Sequence, residues 1–130
     1  VTEQNPSKLS LDEQFIEALK EGDVRGLSLI YGMRFEEALQ SLVAEGAITG
    51  WERVSADSAS GQQEAHFLIK LPDQEMPIAI TSTRRNQIRK AKEFPHLPIV
   101  YIRHKNEERL SSVDELKGSI WTKIREYKKR

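Results

Sequence analysis

Two short apolar runs, Met76–Ser82 and Ile99–Ile102, are joined by a segment that no hairpin turn explains. Between them stands Arg84-Arg85-Asn86-Gln87-Ile88-Arg89-Lys90-Ala91-Lys92-Glu93, rich in helix formers and free of glycine and proline. Pro95 and Pro98 then bracket a short loop. Strand, helix and strand in succession make a crossover, which sets its two strands parallel and is right-handed. Ile99–Ile102 is apolar on both faces, the pattern of an interior strand in a covered sheet. This unit commits the chain to an α/β fold.

The residues before it supply the rest of the sheet. Ile48–Val54, His66–Leu71 and Met76–Ser82 read as three strands. A polar loop over 55–63 and a turn at Pro72-Asp73-Gln74-Glu75 separate them, as in an antiparallel meander. Ser10 and Glu13 form a capping box that opens a helix with Leu11, Phe15, Ile16 and Leu19 on one face, closed by Gly22. Val24–Tyr31 is apolar without a clear period and reads as a connector or as the start of the next helix. From Gly32 the helical spacing is plain in Phe35, Ala38, Leu39, Leu42 and Val43, with Gly46 placed for a left-handed cap. A second capping box, Ser112 to Glu115, opens a final helix over 112–128 that carries Val113, Leu116, Ile120, Trp121 and Ile124. Trp51 and Trp121 are assigned to the core. The expectation is a mixed four-stranded sheet flanked by helices, with residues 1–9 a loose terminus and 10–130 a single domain.

Composition excludes several classes of chemistry. The chain has no cysteine, which removes disulfides, thiolate catalysis and cysteine-based zinc sites. No apolar run approaches the ~18 residues of a membrane span, and no signal-peptide pattern is present, so a cytoplasmic protein without membrane contact is expected. His66, His96 and His104 lack metal-ligand spacing, and no metal or cofactor is expected. The formal net charge of zero conceals a gradient: residues 1–83 hold 14 acidic and 6 basic residues, whereas 84–130 hold 6 and 14. Such asymmetry marks a face for a polyanion, or two halves that neutralise each other on folding.

Three stretches carry a more specific resemblance. Gly32-Met33-Arg34-Phe35-Glu36 opens the core helix with a glycine, a bulky residue and a Glu. His66-Phe67-Leu68-Ile69 begins the second strand, and Ala79-Ile80-Thr81-Ser82-Thr83 ends the third ahead of a helix containing Gln87. With the order αβββαβ over roughly residues 32–103, these stretches resemble the PD-(D/E)XK, or restriction-endonuclease-like, nuclease superfamily. In that family an Asp on the second strand and a Glu on the third hold a hard divalent cation, and a Lys two residues after the Glu assists the attacking water. Carried across, the Asp is His66, the Glu is Ala79 and the Lys is Thr81, while Glu36 matches a supporting acid. The resemblance therefore implies a vestigial site at Glu36, His66, Ala79 and Thr81 with no catalytic residue retained. A letter-by-letter match, Pro72-Asp73 with Glu115-Leu116-Lys117, is rejected, because Glu and Lys two apart share a face on a strand but not on a helix.

The basic helix remains a candidate contact. Thr83, Arg84, Arg85, Gln87, Arg89, Lys90 and Lys92 are the expected nucleic-acid-binding residues, for DNA or RNA phosphates, set against an ordinary solvated surface. Three functions stay open: an inactive nuclease-like domain that binds nucleic acid or serves assembly with other protein subunits; a protein-interaction domain with no nucleic-acid role; and a metal-dependent nuclease with a relocated site. The last would need Glu36, Glu64 and His66, or Asp73 and Glu75, to converge.

Overall fold

The computed structural model describes residues 9–55, 64–103 and 109–129, so the 55–63 loop beyond Ser55 and His104 lie outside the described residues. Four helices and four strands follow in the order α1 (Leu11–Glu21), α2 (Val24–Ala44), β1 (Gly50–Arg53), β2 (Phe67–Lys70), β3 (Glu75–Thr81), α3 (Arg84–Glu93), β4 (Ile99–Tyr101) and α4 (Val113–Lys128). The protein is an α/β fold with one open mixed sheet in the order β1-β2-β3-β4. The first three strands form an antiparallel meander, with Trp51 opposite Ile69 and Phe67 opposite Ile78. β4 joins parallel to β3, pairing Ile99 with Ala79 and Tyr101 with Thr81.

Alternation along the strands explains the layers. Phe67, Ile69, Met76, Ile78 and Val100 face α2 and α4, where Phe35, Leu39, Leu42, Leu116, Ile120 and Ile124 complete the main core. Phe35 and Phe67 stack at 5.0 Å between ring centroids at the centre of this layer. Ala79 and Ile99 face the other way, into a smaller cluster with Ala65 and Leu97 beneath α3. α1 packs outside the sheet, against α2, through Phe15, Ala18, Ile30 and Leu110.

Both capping boxes form as the sequence predicts, Ser10 with Glu13 and Ser112 with Glu115. Gly46 takes a left-handed φ of 78° just beyond α2. Of the two readings of 24–31 the second holds: the segment is no connector but the start of the next helix, α2 beginning at Val24, capped by Asp23, whose Oδ1 accepts the Gly26 N–H at 2.9 Å. The period there is hidden because this stretch is walled on two sides. Ile30 turns toward α1, Tyr31 bridges two clusters, and Val24 and Leu29 stay exposed. Trp121 is not core. Leu116, Ile120 and Ile124 occupy the inward stripe at four-residue steps, which rotates Trp121 to the flank with 38 % of its surface exposed.

A buried cation locks the helices. Arg34, almost wholly buried on α2, donates to the Ser111 carbonyl at 2.7 Å, to Asp12 of α1 at 3.0 Å and to Glu37 at 3.0 Å. Truncation strands the Ser111 carbonyl and removes the packed aliphatic stem. Arg34→Ala should therefore cost about 3 kcal/mol in urea denaturation, whereas Asp12→Asn and Glu37→Gln, at exposed ends of the network, should each cost under about 1 kcal/mol. Equal small losses for all three would refute the locking role.

Candidate functional site

A cleft of about 290 Å³ opens at one end of the sheet, where β1, β3 and β4 finish and β2 begins. In open α/β sheets the carboxyl ends of parallel strands form a crevice, because the chain there departs into loops and helix starts. Its walls come from five segments: Ser28, Tyr31 and Gly32 of α2, Arg53 of β1, His66 and Phe67 at the start of β2, Ile80, Thr81, Ser82, Asn86 and Lys90 running from β3 into α3, and Ile102 just beyond β4. Gly32 is there for space. A Cβ at this position would come within 3.2 Å of the Arg53 guanidinium.

Local backbone events set each side chain. Glu64 has a left-handed φ of 63°, so the chain turns sharply before entering β2. The Ile80 N–H then finds no strand carbonyl opposite and donates instead to His66 Nδ1 at 3.0 Å. That bond requires an unprotonated Nδ1, which puts the proton of the neutral ring on Nε2 and makes His66 a donor there. Burial among protein atoms lowers the imidazole to about 4, the Lys90 charge acts in the same direction, and Glu64 opposes both.

Lys90 is the one buried residue of α3, 6 % exposed, and its stem does for this polar helix what an apolar residue does elsewhere. Its ammonium reaches the Glu64 carbonyl at 3.3 Å and the Glu64 carboxylate at 3.6 Å. Burial lowers Lys90 from its ordinary value, while Glu64 works to keep it charged. Glu64 in turn is held below the usual carboxylate range, chiefly by its hydrogen bond from Arg89 at 3.0 Å. On the α2 side Arg53 pairs with Glu36 at 2.5 Å and lies over the Phe67 ring. Among the described residues, the two acids beside the cleft, Glu36 and Glu64, are thus paired with cations. The polar part of the lining is a set of N–H and O–H donors with Arg53 and Lys90, set beside the apolar Phe67, Ile80 and Ile102, and that polar part suits an anion.

The residues singled out from sequence divide. His66 and Thr81 line the cleft together; Glu36 stands behind Arg53; Ala79, on the same strand face as those two, is fully buried short of the cleft, under α3. Thr83 caps α3, accepting the Asn86 N–H at 3.1 Å. Arg89 is engaged by Glu64 and Glu93, and Gln87 turns away toward Leu97 and Tyr127. Arg84, Arg85 and Lys92 remain exposed, with no carboxylate partner among the described residues. Ser28, Tyr31, Arg53 and Asn86 were not legible as site residues; Arg53 had a signal, as the sole cation of an otherwise unremarkable strand. Asp73 sits in the β2–β3 turn at the far end of the sheet, and Glu115 and Lys117 are absorbed by the α4 cap and by Glu45. No group of three His, Asp or Glu among the described residues has the geometry to hold a metal ion.

The His66 bond has a measurable signature. Above pH 6.5 both folded and unfolded rings are neutral; between about 6.5 and 4 only the unfolded ring gains a proton; below 4 both carry it. Stability is therefore fully present above the unfolded value and lost as pH falls through that window. Much of the residue meets water, so the loss is on the order of 1 kcal/mol rather than the full linkage value. Urea midpoints from pH 7.5 to 4 should fall more steeply for the native chain than for His66→Asn, which keeps an acceptor but cannot titrate. Parallel profiles would contradict this.

Comparison with protein-family models, with curated proteins and with solved structures gives no match for this chain.

Proposed function

We propose that this chain is a catalytically silent member of the PD-(D/E)XK nuclease superfamily whose cleft holds a nucleic-acid phosphate without cutting it. The observation that carries this reading is the chemistry of the cleft. His66 and Thr81, which occupy the places of the metal-binding Asp and the Lys, face one space with Arg53, Asn86 and Lys90, and among the described residues the acids beside that space, Glu36 and Glu64, are paired. Donors and cations without a free carboxylate bind a phosphate; they do not assemble a magnesium site. The first turn of α3 borders the same cleft, where its backbone dipole favours negative charge. Arg84, Arg85 and Lys92 extend the positive field outward along that helix.

The relocated-nuclease reading finds less support. Glu36 and Glu64 are taken by Arg53 and by Arg89 with Lys90, and Asp73 and Glu75 lie at the other end of the β2–β3 pair.

Anisotropy titrations with a labelled DNA duplex and its RNA counterpart test the proposal. Affinity should fall linearly as log salt rises, and Arg84→Glu with Arg85→Glu should weaken binding at least tenfold and flatten the salt slope by about 2. Asn86→Asp is the sharper probe. An acid in the first turn suits the helix dipole, so the thermal midpoint should hold while binding drops about tenfold. Undetectable binding at low ionic strength, or binding indifferent to both variants, would overturn the phosphate assignment. Magnesium-dependent nicking of plasmid DNA that Glu36→Ala abolishes would overturn the silent one.

A further inference from the structure

The far side of the α1–α2 hairpin carries a second concavity, unrelated to the cleft. It measures about 350 Å³ and opens between the two helices on a floor that includes Ala18 and Ile30. Its lips are apolar: Leu9, Leu29 and Met33 stand there with 42 %, 61 % and 39 % of their surfaces exposed. Around them run Glu17, Glu21 and Asp23, and no Lys or Arg among the described residues contributes to the lining.

Two physical features ask for an occupant. Large apolar side chains clustered on a rimmed groove, rather than scattered singly, are characteristic of a binding surface. Glu17 and Glu21 also lie one helical turn apart, a like-charge spacing that disfavours the helix, and no cation among the described residues pairs with either. The rim is a fixed negative field around an apolar slot. Its complement is a segment that presents apolar anchors from one face and Lys or Arg from the flanks, and a groove between two packed helices suits a third helix.

We infer that the α1–α2 groove docks a basic amphipathic helix from a partner protein. Apolar side chains of the incoming helix seat between Leu29 and Met33, and its cations lie along Glu17, Glu21 and Asp23. The inference is independent of the phosphate reading, since the groove shares no residue with the cleft.

The test titrates the full chain into a labelled ~16-residue peptide with Leu at i, i+4 and i+7 and Lys on its flanks. Saturable binding at tens of micromolar or tighter is expected, and a peptide with Glu in place of Lys should not bind. Leu29→Ser with Met33→Ser should weaken binding about tenfold while leaving the thermal midpoint in place, both side chains being exposed. Glu17→Lys with Glu21→Lys should weaken it comparably through charge alone. Peptide binding that ignores both pairs of substitutions, or no binding at all, would overturn the proposal. So would sedimentation showing a dimer that the Leu29 and Met33 changes dissolve, which would assign the groove to a second copy of the chain.

Discussion

The guanidinium of Arg34 ties three helices at one point: its own α2 through Glu37, the preceding α1 through Asp12, and the distant entry to α4 through the Ser111 carbonyl. A buried cation is costly unless its donors are used, and here the Nε and both terminal nitrogens all find oxygen. The geometry that satisfies the charge is also the geometry that positions the helices. α1 otherwise meets the body through the small cluster of Phe15, Ala18, Ile30 and Leu110 and the residues packed on it, with Arg103 over the Phe15 ring. Ser111 must hold its place for the adjoining Ser112 to start α4, whose inward stripe fills the main core. Both concavities lie on the framework so fixed.

The sequence made the sheet legible because its signals were local and redundant. The crossover was forced by the spacing of two apolar runs around a polar helix, and α3 appears over the residues expected, Arg84–Glu93. Strand ends differ by a residue or two, since flanking residues such as Ile48, Leu71 and Ile102 are buried without being paired as strands. Where two surfaces compete for one helix, periodicity failed. The first two turns of α2 serve α1, the cleft and solvent at once, so their apolar residues go all round. The cleft was half legible. His66 and Thr81 were singled out only through the family resemblance, whereas Ser28 and Tyr31 lay in the stretch whose helix was hidden, and only long-range folding brings Arg53 to them. Ala79 illustrates the opposite failure. It shares a strand face with His66, yet α3 and Leu97 cover that face, while the His66 ring escapes at the strand end.

The charge gradient is neither a simple polyanion footprint nor simple internal neutralisation. Part of it cancels across the fold: Glu64 takes Arg89 and Lys90, and Glu45 takes Lys117. These pairs are local in space but distant in sequence, and they tie the acidic and basic halves together. The remainder is segregated. Arg84, Arg85 and Lys92 stand exposed on α3, while Glu17 and Glu21 stand on α1. A neutral chain thus keeps two fields of opposite sign on separate helices, where a uniform scatter of charge would have served solubility as well.

α2 connects those two fields. Its N-terminal half is a common wall, with Ser28, Tyr31 and Gly32 turned to the cleft and Leu29, Ile30 and Met33 turned to the groove. Residues one apart on a helix point about a hundred degrees away from each other, so a single turn can furnish both surfaces without sharing a side chain. The glycine at 32 leaves room for the Arg53 guanidinium, which a Cβ there would approach to 3.2 Å. The shared wall explains why the helix runs 21 residues when the side chains it buries in the main core run from Phe35 to Leu42. The extra turns are needed to carry α1 and to bound the two concavities, and Arg34 sits at the junction between that outer half and the half buried on the sheet.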